Sequence, residues 1–210
     1  MTDQPAVAAP KQSRLTVNGV GLALYERAGA GRPILFAHAN GFHARCWDQV
    51  IARLPGRRVY AVDLRGHGAS DKPPPPGPYA WRRFGEDLAA LGRALGLRGA
   101  LAVGHSIGGH AAALAAALAP DLFAALLLLE PVILPPAEYG HGEPEAAQVA
   151  ARRRDRWASP DEMFARFKDR PPFDRWDPAT LRDYCDHGLT PAPDGDGFVL
   201  ACPPAIEAAI

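Results

Sequence analysis

The chain has 210 residues, 48% of them hydrophobic, with 23 basic and 23 acidic side chains and a formal net charge of zero. That length supports one buried core, and the balanced charge excludes electrostatic attachment to nucleic acid or an anionic membrane. No apolar run approaches the ~20 residues of a membrane span, the N-terminus has no signal-peptide centre, and the three cysteines are too scattered for a disulfide or metal framework, so a cytoplasmic protein with a small-molecule partner is expected.

Residues 1–14 are polar, contain Pro5 and Pro10, and are expected to form a disordered tail. Residues 15–17 and 21–25 alternate around Asn18-Gly19, the signal of a tight hairpin. Residues 33–37 are a short apolar run ending in His38-Ala39-Asn40-Gly41-Phe42. Residues 58–62 are another, ending in Asp63-Leu64-Arg65-Gly66-His67-Gly68. Segments 46–54 and 84–95 place Trp47, Val50, Ile51 and Leu54, then Leu88, Leu91 and Leu95, at helical spacing. The run Pro73 to Pro76 reads as a stiff connector. Residues 100–103 predict a buried strand, 108–118 an alanine-rich helix, and 126–129 a further strand, apolar at every position, that ends in Glu130-Pro131.

Strands alternating with helices build an α/β domain over 15–134, with a mostly parallel sheet and helices on both faces. From residue 135 arginines, tryptophans and prolines replace the apolar strands. Helices are predicted at 145–157, 160–168 and 178–187, the last two opened by Ser159-Pro160 and Asp177-Pro178 as N-cap followed by proline. Residues 135–210 are therefore expected as a helical cap, whose aromatics Trp157, Phe164, Phe167, Phe173 and Trp176 either pack it onto the sheet or line a pocket.

The chemistry concentrates in Gly104-His105-Ser106-Ile107-Gly108-Gly109, where a strand meets a helix. A G-x-S-x-G turn reverses the chain so sharply that its flanking positions cannot carry a Cβ, and it holds the serine hydroxyl above the sheet. A serine there needs a base to take its proton and donors to receive an oxyanion. The Ile107 N–H, first in its helix, is one candidate donor. The loop at Asn40 or Phe42 supplies the other, and the Asn40 side-chain amide is a further candidate. Phe42 is also a candidate substrate contact.

On these residues the chain resembles the α/β-hydrolase superfamily. His38 to Phe42 is similar to the H-G-x-P loop after the third strand, with alanine for the usual glycine and no proline. Asp63-Leu64-Arg65-Gly66-His67-Gly68-Ala69-Ser70 matches the D-x-R-G-x-G-x-S loop after the fourth, and 104–109 matches the nucleophile elbow. The resemblance implies a capped serine hydrolase, esterase- or lipase-like, that forms an acyl-enzyme on a carbonyl substrate, with no metal and no organic cofactor. It also implies that Glu130, at the end of the sixth strand, orients the base, as in a minority of the superfamily similar to some haloalkane dehalogenases.

The superfamily carries its catalytic histidine after an eighth strand. Here no seventh or eighth strand can be read, so the last strands are expected to be absent and the base to lie beyond residue 210. Among the seven histidines, His38, His43, His67, His105 and His110 precede the sixth strand, and His141 and His187 fall in the cap. An uncovered strand at 126–129 would be an apolar edge, through which self-association is expected. The alternative reading is a truncated, inactive binding or regulatory protein on the same fold.

Overall fold

The computed structural model describes residues 9–75, 79–138 and 144–210. Residues 1–8, 76–78 and 139–143 lie outside the described residues, and with them Pro76 and His141.

Two antiparallel strands open the fold, β1 (Lys11–Val17) and β2 (Val20–Arg27), with Val17 opposite Val20. Asn18 and Gly19 both take positive φ, 49° and 76°, as the centre of a two-residue hairpin turn requires. The tail expected over 1–14 is corrected here, because β1 starts at Lys11. Its polar residues carry no burial signal, yet their backbone pairs from Lys11↔Glu26 to Arg14↔Ala23. Arg14 also bonds Asp71 and the Ala69 carbonyl.

Four parallel strands follow: β3 (Ala30–Ala37), β4 (Arg57–Val62), β5 (Ala100–His105) and β6 (Phe123–Leu129). The six-stranded sheet runs β1-β2-β4-β3-β5-β6, antiparallel only where β2 meets its neighbours. Period-two alternation along β3 sends Leu35 and Ala37 to one face and Ile34 and Phe36 to the other. The first face is covered by α2 (Trp81–Ala94) and α3 (Ile107–Leu118), through Phe84, Leu88 and Leu91 and the alanines 111, 112 and 115. The second face is covered by a 3-10 turn, Ala44–Trp47, and α1 (Asp48–Ile51), where the sequence predicts one longer helix. Helices thus lie on both faces of a mostly parallel sheet.

Among the described residues β6 pairs only with β5 and ends the sheet. Leu127 is 59% exposed and Leu129 41%, so this strand is not covered on both faces.

The C-terminal segment contains α4 (Pro144–Ala151), β7 (Arg156–Trp157), α5 (Pro160–Phe167), α6 (Pro178–His187), β8 (Leu189–Pro191), β9 (Phe198–Leu200) and α7 (Pro204–Glu207). Both predicted N-caps form, Ser159 Oγ accepting from Glu162 N–H at 3.1 Å and Asp177 Oδ1 from Thr180 N–H at 3.0 Å. The all-helical expectation is corrected: the helix predicted over 145–157 ends at Ala151, and Trp157 lies in a small antiparallel sheet ordered β7-β9-β8. Trp157 is buried against Met163, Leu181 and Leu200, and Arg154 stacks on its indole at 4.1 Å. Tertiary packing overrides the helical spacing there. No helix among the described residues is long and apolar enough to cross a membrane.

Candidate active site

Strand β5 delivers Ser106 to the start of α3 with φ 54° and ψ −119°, a left-handed backbone that costs a non-glycine residue about 1–3 kcal/mol. The turn is held open by its surroundings. Ser106 N–H donates to the Leu129 carbonyl at 3.0 Å, and the Ser106 carbonyl accepts from Gly109 and His110 N–H at 2.9 and 3.1 Å. A Cβ on Gly104 would stand 2.4 Å from the Gly108 carbonyl oxygen, and one on Gly108 would stand 2.5 Å from that of Ala37. The spacing of the motif is therefore a packing requirement between elbow, helix and β3. Ser106 itself is half-buried at the carboxyl end of the parallel strands, where ligands of open α/β sheets bind.

Two segments with candidate backbone donors lie at this end of the sheet, the start of α3 and the loop after β3. The Ile107 N–H is the first of α3 and has no intrahelical acceptor. In the loop after β3, Phe42 N–H closes a turn on the Ala39 carbonyl at 3.1 Å, and Gly41 N–H donates to His67 Nε2 at 3.1 Å. Those bonds take up the Gly41 and Phe42 N–H groups, and no protein group among the described residues takes up the Asn40 N–H. The side-chain amide of Asn40 is not a spare donor, which corrects the expectation for it. Asn40 Nδ2 donates to the Glu207 carbonyl at 2.9 Å.

The histidines divide by their partners. His38 is buried, donates from Nδ1 to the Ala39 carbonyl at 2.8 Å and accepts at Nε2 from Leu64 N–H at 2.9 Å. Burial pushes its pKa down to about 3. His67 is held in the same way by the Arg65 carbonyl and Gly41 N–H, and burial takes it too to about 3. Both are neutral loop-bracing groups. His43 stacks on Tyr184, with Nε2 3.1 Å from that residue's carbonyl. His110 lies beside Trp81 with Nδ1 3.1 Å from the Val132 carbonyl. His105 is half-buried, and burial lowers its pKa while the Glu130 charge raises it. His187 faces Asp48 and Asp183. None of these partners is the Ser106 hydroxyl.

Glu130 is exposed, has φ 43° and follows β6, whose Leu129 pairs with His105, and its charge acts on that histidine. Phe42 bridges two units, its ring 6.1 Å from that of His105 and 5.4 and 5.5 Å from those of Trp176 and Tyr184. Among the predicted aromatics, Trp176 thus reaches the site, while Trp157, Phe164, Phe167 and Phe173 belong to the cluster inside the C-terminal segment. The three cysteines are free thiols that burial pushes up to about 12.

The loop after β4 is a scaffold, a role the motif alone does not reveal. Asp63 accepts from Ala44 N–H at 2.7 Å, Ala69 N–H at 2.8 Å and the Tyr25 hydroxyl at 3.2 Å. Arg65 binds Asp87 of α2 with two bonds, 2.6 and 2.8 Å, at 3% side-chain exposure on each side. A possible cation ligand set, Asp48, Asp183 and His187, has ligand atoms within 4.8 Å of one another. Arg45 already holds Asp48 at 2.6 Å and Gln49 holds Asp183 at 2.8 Å, on elements other than those carrying Ser106.

The model of the "Alpha/beta hydrolase family" matches residues 34–208. An esterase of Mycobacterium tuberculosis is 34% identical over 154 residues, which is 70% of this chain and 48% of that protein. The 2-(acetamidomethylene)succinate hydrolase of Mesorhizobium japonicum is 34% identical over 118 residues, 56% of this chain and 41% of that protein. A crystal structure of E-2-(acetamidomethylene)succinate hydrolase superposes with a TM-score of 0.77 at 27% identity, over 95% of this chain and 71% of that one. The chain therefore spans about half or less of the curated relatives it matches.

Proposed function

The chain belongs to the alpha/beta hydrolase family, and on that premise we propose that it is a serine hydrolase of small carbonyl compounds, esters or amides, acting through an acyl-enzyme. The observation that carries this reading is Ser106 at positive φ on a strand-to-helix turn, with the unpaired Ile107 N–H beside it. Attack by Ser106 Oγ on the carbonyl carbon breaks the C=O π bond and places charge on its oxygen. The Ile107 and Asn40 N–H groups receive that charge, each such donor lowering the barrier by about 3 kcal/mol. Collapse expels the alcohol or amine, and water then releases the acid.

Ser106 requires a histidine as proton acceptor, a role that none of the histidine ring contacts described above supplies. Glu130 serves as its orienting carboxylate. Residues after 134 act as the cap, with Phe42 and Trp176 at the junction forming an apolar wall for the substrate. Relatives named as an esterase and as a 2-(acetamidomethylene)succinate hydrolase support esters and amides as the substrate class.

A panel of short esters and N-acyl amides tests the proposal. Turnover should fall at least ~10³-fold in Ser106→Ala; turnover that survives the substitution would overturn it. The second reading, a non-catalytic binding protein, is favoured by one observation, that none of the histidine ring contacts described above is to the Ser106 hydroxyl. Ligand binding without turnover, unchanged in Ser106→Ala, would establish it.

A further inference from the structure

Three segments distant in sequence converge on the loop that carries Asn40, and the chemistry above uses none of their contacts. The last residue of α7, Glu207, accepts from Asn40 Nδ2 at its carbonyl, 2.9 Å away. The Glu207 carboxylate accepts from Arg153 Nη1 at 2.6 Å, and Arg153 Nη2 donates to the Tyr184 hydroxyl of α6 at 2.7 Å. A Cβ on Gly41 would meet Glu207 Oε1 at 2.7 Å and Arg153 Nη1 at 2.9 Å, so both side chains lie directly on the backbone of this loop.

The pair is largely withdrawn from solvent, 24% exposed at Arg153 and 13% at Glu207. Burial opposes the Arg153 charge, but Tyr184 and Glu207 outweigh it and hold its pKa above the ordinary value. Removing one partner of such a pair leaves the other charged and poorly solvated, so the contact is a strong constraint on where α7 sits. From the loop after β4, His67 is fixed by the Arg65 carbonyl and receives Gly41 N–H. The loop is thus held by two segments, and the Asn40 side chain is the handle by which α7 grips it.

We propose that Arg153 and Glu207 are positioning residues: their ion pair seats α7 against the Asn40 amide and so sets the direction of the Asn40 N–H. This rests on the reading of that N–H as an oxyanion donor. Through Tyr184 the grip extends to α6, so docking of the C-terminal segment and alignment of the donor are one event. A mere tie between segment and sheet would lower global stability without acting on this loop in particular.

The test compares the wild-type full-length protein with Arg153→Met, Glu207→Gln and the conservative Arg153→Lys. Amide hydrogen exchange at Gly41 and Phe42, both hydrogen-bonded in the loop, should quicken about tenfold in Arg153→Met and Glu207→Gln, less in Arg153→Lys, with β5 unchanged. Exchange within about twofold of wild type at the loop, or an equal rise in β5, would overturn the proposal. Should Arg153→Met fail to fold, the two milder variants decide by the same criteria. Where turnover is measured, kcat should fall about tenfold with KM within about twofold; a raised KM at unchanged kcat would count against the proposal. Exchange does not depend on activity. A loosened loop in a protein without turnover would uphold the grip and sink the hydrolase reading.

Discussion

Ser106 holds its left-handed backbone because residues around it leave no room for an alternative, and the glycines are where that shows. Gly108→Ala would drive a methyl to 2.5 Å from the Ala37 carbonyl oxygen, backbone that cannot swing aside. Urea denaturation should register a loss of about 1–3 kcal/mol or more, as for other overpacked sites; an unchanged midpoint would mean the elbow is loose. The elbow was legible in the sequence because the demand on Gly104, set by the Gly108 carbonyl, is local, although the demand on Gly108 comes from β3. Asn40 shows the limit. Its side chain is claimed by a carbonyl 167 residues away, a partner no local pattern reports, so its amide looks free until the fold closes. Glu130 is intermediate, since its place at the end of β6 follows from the strand pattern while its neighbour His105 comes from the pairing of β6 with β5.

At the scale of elements, the apolar runs and N-caps identify the strands and helices, and long-range pairing decides how far they extend. Lys11 to Arg14 join β1 because β2 offers hydrogen-bond partners, although nothing in their side chains asks for a strand. The small sheet of the C-terminal segment has one local signal, the turn around Gly195 and Gly197 at φ 79° and 72°, between the segments that become β8 and β9. Helix α2 is tied to the loop after β4 by the buried Arg65–Asp87 pair. Asp87→Ala should cost about 3–5 kcal/mol by removing the carboxylate that faces the buried guanidinium, a loss readable in the thermal midpoint, whereas a cost below ~1 kcal/mol would show that other groups or water satisfy it. At the edge, Leu127 is 59% exposed on β6. If self-association runs through this strand, Leu127→Glu should abolish it in sedimentation velocity with little change in stability; dimers that persist would place the contact elsewhere.

For the whole molecule, buried neutral histidines make folding sensitive to acid. His38 and His67 have folded-state pKa values near 3 against an ordinary 6.5, so protonation favours the unfolded chain. Their contribution is complete above about pH 6.5 and is lost as pH falls towards 3, at ~1.4 kcal/mol per pH unit for each. Stability from urea titrations should therefore be lower at pH 5 than at pH 7; equal values would mean the two rings are solvated. The same two residues brace the loops on which the site stands, so the acid limb of stability and that of activity should coincide. The account as a whole turns on Ser106 being the nucleophile, and an active-site-directed fluorophosphonate addresses that directly. In the full-length protein, mass spectrometry should find one adduct, on Ser106, and none in Ser106→Ala. A folded protein left unlabelled at Ser106, or a label that survives the substitution, would contradict the account.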